Sequence, residues 1–322
     1  MGMEDYLLCV DWGTTNLRAF CVSTNTGEII ASSSSDNGIS KVYALWLQTK
    51  NTDRQTFFLQ FIGELIRELS LEIKGNLNGI PLIISGMVSS RNGLEELPYA
   101  PVPFRLNGED ILFKKYKISE DFGHSMWIIS GVQCGMDVMR GEEVQMIGMM
   151  SLFNERNFTT IFPGTHSKHV QVSDGEMTSF KTFMTGELFQ LLSRHGMLSS
   201  SIEFNILDNV RKEEAFAEGV KKGITANLLN SLFSVRVNEL LKGMDKKENW
   251  HFLSGLLIGY EMKELIKSTG PVYLCVGTSL SGLYERASEL VGIKKIMRIV
   301  SSDMVDQSVV KAHISMYNNI FK

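Results

Sequence analysis

The stretch Asp11-Trp12-Gly13-Thr14-Thr15-Asn16-Leu17-Arg18 is the strongest signal in the chain. Before it lies Tyr6-Leu-Leu-Cys-Val, an apolar run suited to a buried strand; from Leu17 to Ser23 a second β-rich run follows. A carboxylate therefore closes one strand, and a glycine lets the backbone approach a ligand. Two threonines add amides and hydroxyls within a tight turn. Asn16 and Arg18 are two residues apart and share a face if strand alternation begins there. Such a turn can aim successive N–H groups at phosphate oxygens. Asp11 is suited to hold Mg²⁺ through water, because that ion keeps much of its hydration shell. The plain alternative is a hairpin turn with a structural aspartate, since turns favour these residue types.

Outward from this turn, Thr26-Gly27 and the run Glu28 to Ser33 add a third strand, giving a meander. Phe58, Phe61, Ile62, Leu65, Ile66 and Leu69 recur at helical spacing, so 57–71 is read as an amphipathic helix. Strands are expected at Pro81–Ser85 and Met126–Ser130, with a helix from Glu142 to Phe153. The second half repeats the theme. Thr159–Phe162 leads into Pro163-Gly164-Thr165-His166, and His169–Ser173 and Met177–Met184 flank an Asp174-Gly175 hairpin turn. Helices are expected near 185–195, 212–242, 249–267 and 280–291, and strands at Pro271–Val276 and Lys295–Val300. The division falls near Asn154-Glu-Arg-Asn157. It gives domains at 1–152 and 153–304, with a closing helix at 305–320 joined to the first. The length of 322 residues suits two domains at about 100–200 residues each.

Composition narrows the field. With 43% hydrophobic and 21% charged residues, the chain can build large cores and is not a disordered polymer. The net charge of −4 and the lack of a dense Lys/Arg run speak against a nucleic-acid binder. Four cysteines without a C-x-x-C pair suit a reducing compartment. No apolar stretch approaches the roughly 20 residues of a membrane span, and Met1–Tyr6 lacks a signal-peptide pattern. A cytoplasmic protein is therefore expected. No G-x-x-x-x-G-K-[ST] run is present, which excludes a P-loop kinase, and no H-R-D or D-F-G set, which excludes a protein kinase.

Other turns can carry chemistry. Gly164, Thr165 and His166 occupy in the second half the place that Gly13 to Asn16 occupy in the first. Lys168 could contact phosphate or face solvent, and a metal site at His166 and His169 has no zinc-class spacing behind it. Gly277-Thr278-Ser279, at a strand-to-helix junction, can serve as an anion or ribose contact or as an ordinary N-cap. Met139-Arg140-Gly141-Glu142-Glu143 offers a general base beside a cation, or helix-start acids matched to the dipole. Thr185 in Met184-Thr-Gly-Glu-Leu188 reads as a cap. Leu253, Leu256, Leu257 and Tyr260 with Gly255 and Gly259 read as a helix packed closely on a neighbour.

These blocks together resemble a known family. Asp11–Arg18 looks like the first phosphate motif of the acetate and sugar kinase, heat-shock chaperone and actin superfamily. Pro163–His166 looks like its second, and Val276–Ser279 like its adenosine motif. The blocks at 10–19, 85–88, 138–143, 163–168, 184–188, 252–259 and 277–280 resemble the 2-dehydro-3-deoxygalactonokinase family more closely. The resemblance implies an α/β protein of two ribonuclease H-like (actin-like ATPase) domains. Each would be a mixed five-stranded sheet flanked by helices, with a nucleotide cleft between them. It implies ATP and Mg²⁺ as cofactors and a small sugar acid, 2-dehydro-3-deoxy-D-galactonate, phosphorylated at O6 in galactonate catabolism. The oligomeric state stays open between a monomer and a homodimer.

In that reading Asp11 holds the metal, and Gly13, Thr14, Thr15, Asn16 and Arg18 hold the phosphates with Gly164, Thr165 and His166. Gly277, Thr278 and Ser279 line the nucleoside pocket. Ser85, Met87, Arg91 and Arg140 are the substrate candidates, the two arginines for the substrate carboxylate. The base is left among Asp137, Glu142 and Glu143. Two alternatives stand beside it: a kinase for another sugar on the same fold, and a non-catalytic nucleotide switch.

Overall fold

The computed structural model describes residues 5–49, 52–116, 122–204 and 210–321, without the side chains of Thr278 and Ser279. The chain divides into two compact units. One comprises Met1–Asn154, Gly175–Ser179 and Asp303–Lys322; the other comprises Glu155–Asp174 and Phe180–Ser302.

The first unit opens with β1 (Tyr6–Trp12), β2 (Leu17–Ser23) and β3 (Ile29–Ser35), an antiparallel meander. Helices α1 (Ile39–Thr49) and α2 (Arg54–Ile73) follow. Asp53 caps α2 by accepting from the Thr56 N–H. β4 (Leu82–Gly86) then lies parallel to β1 and sets Ser85 opposite Asp11. Two short strands, β5 (Ala100–Pro101) and β6 (Phe104–Arg105), precede β7 (Phe113–Tyr116) and β8 (Met126–Ile129). The sheet order is β3-β2-β1-β4-β8-β7. It holds one strand more than the five expected. β7 is an antiparallel edge strand whose Phe-Lys-Lys-Tyr pattern carries the exposed charges typical of a sheet edge, which hides its alternation. A small hairpin, β9 (Val132–Cys134) and β10 (Asp137–Met139), leads into α3 (Glu142–Met149). The core between sheet and helices is built on Trp12, Phe58, Ile62, Leu69, Leu82 and Ile84.

The meander recurs in β11 (Phe158–Phe162), β12 (Ser167–Ser173) and β13 (Glu176–Phe183), of which Phe180–Phe183 and the two earlier strands belong to the second unit. Asp174 and Gly175 have φ values of 53° and 84°, the left-handed pair that a two-residue hairpin requires. Helices α4 (Thr185–Arg194), α5 (Val210–Thr225), α6 (Leu228–Leu232), α7 (Ser234–Lys242) and α8 (Lys246–Met262) come next. They are followed by β14 (Val272–Cys275), α9 (Thr278–Val291) and β15 (Met297–Val300). These strands run in the order β15-β14-β11-β12-β13, with β14 parallel to β11 and to β15. The single helix expected over 212–242 is three, because Asn227 caps a fresh start by accepting from the Asn230 N–H. A Cβ on Gly255 would lie 2.1 Å from the Phe216 carbonyl oxygen, and one on Gly219 2.2 Å from that of Phe252. The glycines therefore let the α5 and α8 backbones touch, as the 252–260 pattern suggests.

The last helix, α10 (Ser302–Met316), returns to the first unit, where Phe321 beyond it stacks on Trp127 at 5.6 Å. Among the described residues no helix is long and apolar enough to cross a membrane.

Candidate active site

The first turn is held from behind by α1. The Gly13 N–H donates to the Asn16 carbonyl at 2.9 Å and closes the hairpin. The N–H groups of Gly38, Ile39 and Ser40 donate to the carbonyls of Thr15, Gly13 and Thr14. The first N–H groups of α1, which need partners outside the helix, are thus satisfied by the turn. The turn's carbonyls face inward, while Thr14, Thr15 and Asn16 are exposed. A Cβ on Gly38 would fall 2.3 Å from the Thr14 oxygen and 2.4 Å from the Thr15 Cα, so only glycine fits. Trp12, fully buried, donates its indole N–H to the Asn37 carbonyl at 2.8 Å and fixes the same junction.

In front of the turn lies a polar cavity of about 540 Å³, lined by Asp11, Gly13, Thr15, Asn16, Arg18 and the end of β3 at Ser34–Asp36. Arg18 donates to Asp11 Oδ2 at 2.6 Å and to Asp306 on α10 at 2.8 Å. Asp11 is 16% exposed at its side chain, so the carboxylate opens into the cavity while Arg18 fixes its orientation. A carboxylate with hydroxyl and carboxylate neighbours is the hard oxygen set that Mg²⁺ takes, with waters completing its shell. The residues present fit that ion.

Two glycines bring the α3 start close to Asp11. Gly86 has φ 89°, and a Cβ there would stand 2.7 Å from the Trp12 carbonyl oxygen and 3.3 Å from Asp11 Oδ1. Gly141 has φ 109°, and its Cβ would stand 3.7 Å from the Gly86 Cα. Glu142 and Glu143 then open α3. They differ sharply. Glu143 is 1% exposed and turns back so that both carboxyl oxygens lie 2.9 Å from the Gly141 N–H. Burial, and secondly the neighbouring Glu142 charge, push its pKa up to about 8. Glu142 is half-buried. Asp137 lies at the far end of β10, on the hairpin tip beside the fully exposed Met136, and accepts from the Val138 N–H.

The Glu143 shift has a measurable sign. A folded pKa raised from 4.5 to about 8 gives stability that is fully present below pH 4.5 and lost as pH rises through 8. Melting temperature followed from pH 5 to 8 should therefore fall, by about 1.4 kcal/mol of stability per pH unit from this group. The Glu143→Gln variant should flatten that slope. An unchanged slope would contradict a buried neutral Glu143.

The substrate candidates separate. Ser85 is fully buried, and its hydroxyl lies 3.0 Å from Nε2 of His313, a ring whose pKa burial depresses to about 3. The substrate contact expected of Ser85 does not fit this burial; its hydroxyl serves the α10 contact. Met87 packs partly on the core. Arg140 donates to Ser89 Oγ at 2.6 Å and to the Leu97 carbonyl at 2.9 Å, and its guanidinium sits 4.0 Å over the Tyr99 ring. Two of its five N–H donors are thus engaged on the Ser89–Leu97 loop. Arg91 is exposed on the loop after β4, whose backbone Arg54 secures by donating to the Arg91 carbonyl.

In the second unit the turn at Pro163–His166 rests on the start of α4. A Cβ on Gly186 would lie 2.4 Å from the Gly164 oxygen and 2.8 Å from the Thr165 Cα. The Glu187 N–H donates to the Thr165 carbonyl at 3.0 Å, and the Glu187 carboxyl pairs with His166. Thr185-Gly186-Glu187 is therefore a seat for the turn more than the helix cap that spacing favoured. Lys168 is 5% exposed and donates to the His166 carbonyl, so it does not face solvent. Gly277 is exposed at the start of α9, with open space around it. The side chains of Thr278 and Ser279 lie outside the described residues.

Sequence reading missed α1 and the Asp36-Asn37-Gly38 corner altogether. The available signal was the Asn-Gly pair, which marks a turn wherever it stands.

A profile of the 2-keto-3-deoxy-galactonokinase family matches residues 11–311. The chain is 30% identical over 295 residues to 2-dehydro-3-deoxygalactonokinase of Escherichia coli (strain K12), covering 88% of this chain and 90% of that one. A solved structure from Sinorhizobium meliloti, described as a candidate 2-dehydro-3-deoxygalactonokinase, is 28% identical. It superposes with a TM-score of 0.79 over 98% of this chain and 97% of that one. An activator of 2-hydroxyisocaproyl-CoA dehydratase from Clostridium difficile, solved with ADPNP, shares the fold at 12% identity and TM-score 0.50, covering 97% and 94% of the two chains. The fold is thus the α/β, actin-like ATPase class.

Proposed function

The chain belongs to the 2-keto-3-deoxy-galactonokinase family, and on that premise we propose that it moves the γ-phosphoryl group of ATP to the terminal hydroxyl of 2-dehydro-3-deoxy-D-galactonate. The chain is a kinase, a phosphotransferase with an alcohol acceptor. Its place is galactonate catabolism, and its product would feed an aldolase. The observation that carries the reading is the close approach of the α3 start, through Gly141 and Gly86, to Asp11 at the end of β1, beside a polar cavity lined by the turn.

Phosphoryl transfer asks the protein mainly for positioning and for charge opposite the moving oxygens. Residues 1–152 with 305–320 would form the sugar-acid lobe, and 153–304 the nucleotide lobe. In the first unit Gly13 to Asn16 and Arg18 would hold phosphate oxygens; Gly164, Thr165 and His166 are the phosphate candidates of the second. Gly277 to Ser279 would line the nucleoside. Bound at Asp11, Mg²⁺ would neutralise phosphate charge. Met87 would border the acceptor, and Arg91 would meet its carboxylate as a bidentate partner. Arg140 would hold the Ser89–Leu97 loop in place.

Glu142 is the proposed base. The Glu143 carboxyl is buried and turned back onto the Gly141 N–H, whereas Glu142 is half-buried and so more open to an acceptor hydroxyl. Glu142→Gln should lower kcat about 100-fold, with ATP affinity little changed. Glu143→Gln should stay within about tenfold of the parent. Equal turnover in Glu142→Gln and the parent would assign the base elsewhere. For the acceptor, kcat/KM should be compared across sugar acids and neutral sugars. The reading expects 2-dehydro-3-deoxy-D-galactonate to lead; a neutral sugar ahead of it would overturn the assignment.

A further inference from the structure

Glu261, on the last turn of α8, is the most heavily bonded buried carboxyl among the described residues, and nothing above uses it. It is 1% exposed. Its Oε1 accepts from Ser167 Oγ at 2.6 Å and lies 3.0 Å from His169 Nε2. Its Oε2 accepts from Thr185 Oγ1 and, at 3.0 Å, from the Tyr284 hydroxyl. A carboxylate offers about four lone-pair sites, and here all four are addressed.

The donors come from three elements. Ser167 is the first residue of β12, directly after the Pro163–His166 turn. Thr185 is the first residue of α4, directly before the Gly186 on which that turn rests. Tyr284, on α9, is fully buried beside them, its side chain bonded to Ser167 as well as to Glu261. One side chain thus grips both ends of the arrangement: the strand leaving the turn and the helix seating it. An acceptor that satisfies four buried donors is costly to replace, because each donor left unpaired keeps its desolvation penalty.

We propose that Glu261 is a positioning residue for the second-unit turn, setting where Gly164 and Thr165 stand and so how tightly the chain grips the nucleotide phosphates. This rests on the functional reading above, in which that turn holds ATP. Glu261 touches no substrate; it acts through Ser167 and Thr185.

The test measures Mg·ATP affinity by calorimetric titration, with KM for both substrates, in Glu261→Gln and Ser167→Ala. Glu261→Gln and Ser167→Ala should each weaken ATP binding by about tenfold, the scale of an outer partner's loss, with the sugar-acid KM unchanged. If Glu261→Gln does not fold, Ser167→Ala decides. Parent-like ATP affinity in the folded Glu261→Gln or Ser167→Ala variant would overturn the proposal, as would an equal rise in the sugar-acid KM. A parent protein that binds Mg·ATP but phosphorylates no sugar acid would overturn the functional reading alone and leave the titration decisive for Glu261. A parent that binds no ATP would overturn both.

Discussion

Alanine at position 38 should lower kcat/KM for ATP about 100-fold, the scale of a displacement near 1 Å at a reacting centre. The added Cβ would stand 2.3–2.4 Å from atoms of Thr14 and Thr15. Those atoms are backbone, so no rotamer relieves the contact. Either the turn moves off α1 or α1 loses its first bonds to the turn. Stability should fall as well, by about 3 kcal/mol, the upper range for overpacking a tight site. Far-ultraviolet circular dichroism and a melting curve would separate the two losses: the fold persists, the melting temperature drops, and nucleotide binding weakens by more than the residual fold explains. Parent-like kinetics in Gly38→Ala would mean that the turn does not carry the phosphates.

Asp11→Asn should reduce kcat roughly 1,000-fold, the scale of losing one directed charge contact at a transition state. Asparagine keeps the shape and one carbonyl oxygen but removes the charge that Arg18 faces at 2.6 Å. Arg18 retains Asp306, so the guanidinium is not stranded and the fold should hold. The loss should therefore appear in turnover, and added Mg²⁺ should restore little of it. A fall confined to KM, with kcat intact, would recast Asp11 as a residue of general affinity.

Much of the fold could be read from the chain because both halves announce themselves locally. The Asp11–Arg18 turn and the Asp174-Gly175 hairpin each follow a strand with clear β-composition, and both lie where expected. The 252–260 glycines could be read as a close packing face because Gly255 and Gly259 share one side of a helix. α1 was not legible: Val42, Tyr43 and Trp46 are poor helix formers, and the element is held by its contact with the turn. The site was legible as a set of motifs but not as an arrangement. Glu142 and Glu143 are adjacent in sequence, and only the fold buries one and leaves the other half-open. Ser85 and Arg140 look like free polar groups until His313, 228 residues from Ser85, and the Ser89–Leu97 loop claim them. Glu261 meets Ser167 across 94 residues, a pairing no spacing rule reaches.

The central claim is phosphoryl transfer from ATP to a sugar acid, supported at Asp11. Its most direct test is the stoichiometry of ADP release against 2-dehydro-3-deoxy-D-galactonate consumed, in the parent and Asp11→Asn side by side. One ADP for each sugar acid converted, a product carrying phosphate on its terminal carbon, and near silence in the variant are expected. ADP release that ignores the sugar acid, or that survives in Asp11→Asn, would contradict the account.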